Sequence, residues 1–520
     1  MRTRLCGWVG FAVVWFAAAG AAWAKPAVTE TGAIEGVSTD GVTVYKGVPF
    51  AAPPVGALRW RPPQRVAAWT GVRRADKFAP ACMQKGVSMP GETPPSVSED
   101  CLYLNLWKPG RISGERLPVL VWIHGGGYAN GSASMPLYAG DRLARRGIIV
   151  VTVAYRLGPF GFLAHPELTA ESPNRSSGNY GLMDQIAALR WIQRNIAAFG
   201  GDAARVTVAG QSAGAMSVSM LIASPLAHGL FARAIAESGG LFEPVQLAPN
   251  YLLANAEHDG EEYAASLGVK SIRELRELTP AVLLSGRAHA VTHPVAEPQV
   301  LPLGPYDAYV SARQGDVPVL LGANADEARS LTDVGGVTAK GFEADIEKTF
   351  GVLPSPLMTA YPHATDAQAK RARLDFERDL RFGWDMWTWA RLQVAQGKSR
   401  VFYYSFDRRP PFPANSIQAG WGASHFAELW YVFDHLDQAG LQRSAPDREL
   451  ADRIVGYWTN FIATGDPNGA GLPAWPAFDG ERGQVLHLDS PVTVGGVESV
   501  DTLKVFDVVY ASVRGKPFGK

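Results

Sequence analysis

The stretch VTVAGQSAGAM, Val206 to Met216, sets Ser212 between Gly210 and Gly214. A serine hydroxyl is a weak nucleophile. To attack a carbonyl it needs a neighbouring base, and the tetrahedral intermediate needs hydrogen-bond donors for its oxyanion. Gly-x-Ser-x-Gly fixes only three positions, and the same residues could form a plain turn, so the surroundings must decide. HGGGYANG, His124 to Gly131, follows an apolar run upstream of the serine. Consecutive glycines let backbone N–H groups converge on one point without obstruction from side chains. The N–H groups of Gly126 and Gly127, with that of Ala213, are the predicted oxyanion hole. The loop lacks the Lys and Ser/Thr of a phosphate cradle. His124 precedes the loop and the nucleophile, and is read as structural.

An acid and then a histidine are expected downstream of the serine. DVPVLLGANADEARSL, Asp316 to Leu331, offers a strand at 317–322 and then Asp326 and Glu327 side by side. Residue chemistry alone does not choose between them. For the base there are His363, His425, His435 and His487. His487 lies in a strand pattern, His435 in a helical stretch, and His363 in a turn after Tyr361-Pro362. His425, in GWGASHFAELWYVF, follows the strand RVFYYSF and a Pro/Gly-rich loop and is expected at the start of a helix. That is the strand-then-loop position a base requires.

The elements that must hold these residues alternate. Leu117–Gly127, Ile148–Gly158, Arg205–Gly210 and Arg233–Ser238 are apolar runs suited to strands covered on both faces. Tyr138–Arg146 is a short helical pattern. In NYGLMDQIAALRWIQRNIAAFGG, Leu182, Ile186, Leu189, Ile192 and Ile196 form a helical stripe that stops at Gly200-Gly201. Strand–helix alternation implies parallel pairing and an α/β sheet. With 206–209 a strand and 213–223 a helix, Ser212 falls on the sharp turn between them. Its hydroxyl is lifted clear of the sheet at a helix N-terminus, where developing negative charge is stabilised.

Residues 1–24 join Arg2 and Arg4 to an apolar run and end in Ala22-Trp23-Ala24. This is the pattern of a secretory signal peptide cleaved after Ala24, and the expected location is secreted or periplasmic. No later stretch is long and apolar enough to span a bilayer. Lys+Arg and Asp+Glu are both 49, so no net field draws in nucleic acid or an anionic membrane. Hydrophobic residues make up 47%, enough for a large core. Without a linker, charge block or repeat, residues 25–520 read as one domain. Cys82 and Cys101 bound a Gly/Pro/Ser-rich loop, and in an oxidising compartment they are most simply a disulfide. Closing that loop would be worth roughly 3 kcal/mol on the chain-entropy account.

Taken together, the chain resembles the type-B carboxylesterases of the α/β-hydrolase fold. The resemblance rests on YKGVPFAAPPVGALRWRPP, EDCLYLNLW, VWIHGGGYANGS, YRLGPFGFL, the 179–202 helix, VTVAGQSAGA, ESGG, GANADEA, HFAELWYVF and TNFIATGDPNG, in family order along nearly all of the expected mature chain. It implies a large, mostly parallel sheet with helices on both faces. It implies Ser212 as nucleophile, Glu327 rather than Asp326 as acid, His425 as base, and a Cys82–Cys101 disulfide. It also implies Ser238 as a supporting serine near the acid, and it places Trp384 and Trp387 near the acyl pocket; core packing explains those two tryptophans as well.

The expected activity is hydrolysis of neutral carboxylic esters, small-molecule substrates, through an acyl-enzyme, with no metal or organic cofactor. Amide, carbamate or lactone hydrolysis by the same triad is the alternative. A non-catalytic, neuroligin-like binding module is a third reading, and retention of Ser212, Glu327, His425 and the glycine loop argues against it. The sequence leaves the oligomeric state open.

Overall fold

The computed structural model describes residues 22–520 except 88–92, 94, 112–113, 288–290, 352–353, 442–443 and 481–482. Most of the expected signal segment, residues 1–21, lies outside the described residues.

Among the described residues twelve strands form one sheet. In chain order they are β1 (Ala22–Trp23), β2 (Val37–Thr39), β3 (Val42–Pro49), β4 (Tyr103–Pro109), β5 (Leu117–Ile123), β6 (Ile149–Val153), β7 (Gly201–Gln211), β8 (Arg233–Glu237), β9 (Val319–Asn324), β10 (Val401–Phe406), β11 (Val485–Leu488) and β12 (Thr493–Gly495). Their order across the sheet is β1-β2-β3-β4-β6-β5-β7-β8-β9-β10-β11-β12. From β6 to β11 every pairing is parallel. The pairings outside that block are antiparallel.

The central strands are apolar on both faces because both faces are covered. Val119, Val121, Ile123, Val206 and Val208 enter one core. Leu120, Trp122, Ala209, Ile235 and Leu320 enter the other. Each Val, Leu or Ile among them, fully buried, contributes about 1.5–3 kcal/mol of transfer free energy.

The helix α1 (Tyr180–Asn195) buries Leu182, Ile186, Leu189 and Ile192, as its stripe requires. A 3₁₀ turn then runs into Gly200, whose φ of 89° ends the helical path. The helix α2 (Ala213–Ala223) follows β7 after the single residue Ser212. Three boundaries differ from the sequence reading. β7 begins at Gly201 rather than near Arg205, because a register shift between Leu117 and Val119 lets its first residues pair as well. The short helix near Tyr138 is confined to Asp141–Arg145, preceded by a 3₁₀ turn at Pro136–Tyr138. His425 is not at the start of a helix. It opens a turn, Phe426 takes a positive φ of 73°, and the helix α4 (Leu429–Val432) starts only beyond it.

The Sγ atoms of Cys82 and Cys101 stand 2.04 Å apart, with the Cα atoms 5.0 Å apart, so the backbone accommodates a bond between them. With residues 1–24 removed, as the sequence leads one to expect, the chain should show no free thiol when denatured without reductant, and both thiols after reduction, by thiol titration. Replacing both cysteines with alanine should lower unfolding stability by about 3 kcal/mol, read from denaturant midpoints.

Candidate active site

Ser212 is held with φ 58° and ψ −127°, a conformation L-residues rarely adopt. Its N–H donates to Glu237 O at 2.9 Å, and its carbonyl accepts from Met216 N at 2.9 Å. The flanking glycines have a packing reason. A Cβ on Gly210 would lie 2.4 Å from the backbone carbon of Gly214, so strand and helix cross in contact there. The glycine loop closes on the same point: a Cβ on Gly125 would lie 2.9 Å from Ser212 Cβ. Ser212 itself is half-buried. Among the described residues the N–H groups of Gly126, Gly127 and Ala213 have no acceptor.

The two sequence-expected partners are brought together. Glu327 and His425 are almost fully buried, at 0% and 2% exposure, with Glu327 Oε2 and His425 Nδ1 2.6 Å apart. The second oxygen, Oε1, accepts from Asn324 N–H at 2.7 Å. Asp326 turns the other way. Its Oδ2 meets Arg409 Nε at 2.7 Å and accepts from Ala423 N–H at 3.0 Å, so it pins the loop that carries His425.

The other histidines have other partners. His487 Nδ1 lies 2.6 Å from Asp407, which raises the pKa of the ring. His363 stacks on Phe342 and contacts Tyr361 O at 2.7 Å. His435 is not in a helix, since Asp434, with φ 59°, breaks the path before it. Its Nε2 contacts Ala139 O at 2.9 Å, and burial lowers its pKa. His124 is fully buried and stacked on Tyr155, and burial holds its pKa down at about 4, so it stays neutral.

Ser238 N–H donates to Gly322 O at 2.8 Å, but its buried Oγ has no hydrogen-bond partner among the described residues. Trp384 and Trp387 lie on the helix α3 (Trp384–Gln396) and are fully buried. Trp384 Nε1 donates to Asp507 at 2.8 Å and its ring packs on Tyr510, both in the C-terminal helix α5 (Val500–Arg514). The Arg391 guanidinium lies 3.4 Å from the Trp387 ring centre. These contacts are core packing.

Two residues escaped the sequence reading. Phe382, in a π-helical turn at Asp379–Gly383, stacks on the His425 ring with centroids 4.6 Å apart. Gln211, next to the serine and 0% exposed, puts its amide nitrogen 3.2 Å from His425 Nε2. The same nitrogen lies 3.4 Å from Nδ1, so the tautomer is set by Glu327, whose carboxylate accepts from Nδ1–H and leaves the lone pair on Nε2. That is the tautomer a general base needs. Ser212 Oγ makes no hydrogen bond to the ring in this resting arrangement. Catalytic hydrogen bonds are often loose without substrate.

The carboxylesterase family's sequence profile matches residues 24–504. The chain belongs to the carboxylesterase family. Fumonisin B1 esterase of Sphingopyxis macrogoltabida is 36% identical over 489 residues, covering 90% of this chain and 87% of the relative. Para-nitrobenzyl esterase of Bacillus subtilis (strain 168) is 34% identical over 486 residues, covering 90% and 95%. A solved PNB esterase structure superposes with a TM-score of 0.79 at 32% identity, covering 93% of this chain and 99% of that one. The fold is the α/β-hydrolase fold, and this carboxylesterase is a carboxylic ester hydrolase.

The geometry separates the two adjacent acids. Glu327→Gln should lower kcat by about 10⁴, the loss measured when a triad acid elsewhere becomes its amide. Asp326→Asn should stay within about tenfold of the parent, because it only loosens a loop contact. Steady-state kinetics on a p-nitrophenyl ester checks both.

Proposed function

We propose that this carboxylesterase hydrolyses neutral carboxylic esters through an acyl-enzyme, with Ser212 as nucleophile, His425 as base and Glu327 as the acid. The supporting observation is the buried Glu327–His425 pair at 2.6 Å beside a strained serine, with three unpartnered N–H groups at the same turn. Ser212 Oγ attacks the carbonyl carbon while His425 Nε2 takes its proton, and the carbonyl electron pair moves onto oxygen. The N–H groups of Gly126, Gly127 and Ala213 receive that oxyanion, each worth about 2.7–4 kcal/mol of barrier by analogy with measured cases. Collapse expels the alcohol, which takes the proton from Nε2. Water then repeats the sequence and releases the acid. Glu327 fixes the tautomer of His425 and offsets its cation.

In the same reading, residues 1–24 are a signal peptide, residues 25–520 are one exported domain, and Cys82 and Cys101 are bonded. Cleavage after Ala24 removes the short β1 and uncovers the edge of β2. No helix among the described residues is long and apolar enough to cross a membrane.

Ser212→Ala should abolish ester turnover without changing the melting temperature by more than about 4 °C, as expected for loss of one hydroxyl at a half-buried turn. A folded Ser212→Ala protein that turns over at parental rates overturns the mechanism. The expected substrate is neutral. Recognition of a quaternary ammonium requires an aromatic face and gains from a carboxylate, together about 2 kcal/mol or more when desolvated. The 82–101 loop has no aromatic residue, and the residue before the serine is the uncharged Gln211. kcat/KM for a butyrylcholine-type ester should not exceed that for the neutral ester of matched size. A large preference for the cation would place another aromatic group, such as Trp421, at the site.

A further inference from the structure

Three buried glutamates lie around Tyr404, and one of them, Glu327, holds the His425 ring. Glu237 ends β8, Glu327 follows β9, and Glu428 lies in the turn before α4; their exposures are 0%, 0% and 1%. Asn324 joins two of them, donating its backbone N–H to Glu327 and its side-chain amide to Glu428 Oε2. Glu237 Oε1 accepts from Trp458 Nε1 at 2.8 Å. The remaining oxygens, Glu237 Oε2 and Glu428 Oε1, are buried without a partner, as is the hydroxyl of Tyr404 on β10. The titratable groups facing this pocket are these three carboxyls, Tyr404 and His425. Among the described residues no Lys or Arg pairs with any of the three glutamates.

We propose that Glu237 and Glu428 are a proton-holding carboxyl pair around Tyr404, and that Glu428, as a neutral acid, is a positioning residue for Glu327 through Asn324. The positioning half rests on the triad reading above.

Buried carboxylates without cations cannot all ionise. The charge settles where most donors converge. Glu327 has two, the Asn324 N–H and the His425 Nδ1–H, whereas Glu237 and Glu428 have one each. Burial pushes Glu237 up to about 8. Burial, with the neighbouring charges of Glu237 and Glu327, holds Glu428 well above the ordinary glutamate range. The consequence for catalysis concerns the base. Two further negative charges here would stabilise the His425 cation and keep it protonated at neutral pH, where it must accept a proton. A neutral pair leaves Glu327 as the one charge the ring responds to.

Three measurements test this. The first compares side chains at 428. Glu428→Ala should lower kcat/KM by about a hundredfold, and Glu428→Gln, close in shape to the neutral acid, should recover most of that loss. If Gln is as damaging as Ala, the neutral acid is not what is needed, and the proposal falls. The second is the pH profile. With Glu428 already neutral, Glu428→Gln should leave the acid-limb pKa of kcat/KM within a few tenths of a unit of the parent, whereas removing a real charge beside His425 would lower it by about one unit or more. A downward shift of that size overturns the proposal.

The third is stability. A carboxyl whose folded pKa is raised contributes stability that is full below its unfolded pKa and lost as pH rises through the folded value. The parent should therefore lose melting temperature between about pH 5 and about pH 8, and Glu237→Gln and Glu428→Gln should each lose less. Identical pH dependence in the parent and both variants refutes the proton-holding pair. Failure of the serine mechanism would show instead as activity in Ser212→Ala, and would leave this stability comparison untouched.

Discussion

The site depends on one backbone constraint. Ser212 sits at φ 58° with a side chain attached, a conformation that costs of order 1–3 kcal/mol and persists only where its surroundings over-determine it. Here the strand before it and the helix after it are both rigid and both buried. The crossing is so close that Gly210 meets the backbone of Gly214, and Gly239 would place a Cβ 2.4 Å from Ser212 O. Any larger residue at these places would push helix from strand and relax the turn. Relaxation would lower the hydroxyl toward the sheet and rotate the Ala213 N–H away from it. The glycine spacing around the serine is therefore a consequence of packing, and the lifted hydroxyl follows from it.

Charge is arranged around that turn with equal economy. The site combines a histidine and several acids, all almost fully buried. In such surroundings each group keeps its charge only where donors or a counter-charge hold it. Glu327 has both. His124, stacked on Tyr155 and held by Gly125 O at 2.8 Å, is driven neutral by burial and cannot compete as a cation near the glycine loop. Gln211 places a donor without a charge beside the ring, and both the tautomer and the basicity of His425 are left to Glu327.

The parts of this arrangement legible in the sequence are those set by local period and turn chemistry. The strands and the two long helices show because apolar runs and a 3.6-residue stripe have no other good use. The helix after Ser212 shows because its start is fixed by the turn. What was hidden depends on contacts between distant segments. Phe382 reaches His425 only because a π-helical turn re-aims one residue of a stretch whose tryptophans point into the core. His425 reads as a helix start because its downstream apolar pattern is helical, yet the positive φ of Phe426 delays the helix. Glu428 looks like an ordinary exposed residue of that helix, and its burial is decided by Asn324, about a hundred residues earlier. The Ser238 hydroxyl is buried without a hydrogen-bond partner among the described residues, and neither periodicity nor composition bears on where a serine hydroxyl points.

The order of the site residues along the chain follows from the sheet. The glycine loop leaves β5, Ser212 leaves β7, Ser238 leaves β8, Asp326 and Glu327 leave β9, and the loop to His425 leaves β10. These strands are parallel neighbours, so all five connections emerge at one edge, the carboxyl end where open α/β sheets bind ligands. Neighbouring strands lie about 4.8 Å apart, so β10 ends roughly 14 Å from β7, three strand spacings away. A histidine at the tip of β10 would never meet the serine. The chain instead runs on from Phe406 and doubles back over β9. The returning segment is tied to the acid's own loop: Asp326 N–H donates to Ala423 O at 2.9 Å, Ala423 N–H to Asp326 Oδ2 at 3.0 Å, and His425 N–H to Glu327 O at 3.3 Å. The pair of acidic residues thus divides the work. Asp326 anchors the loop, which sets the ring over Glu327, and the long irregular connection before His425 is the length of chain needed to cross back over the sheet.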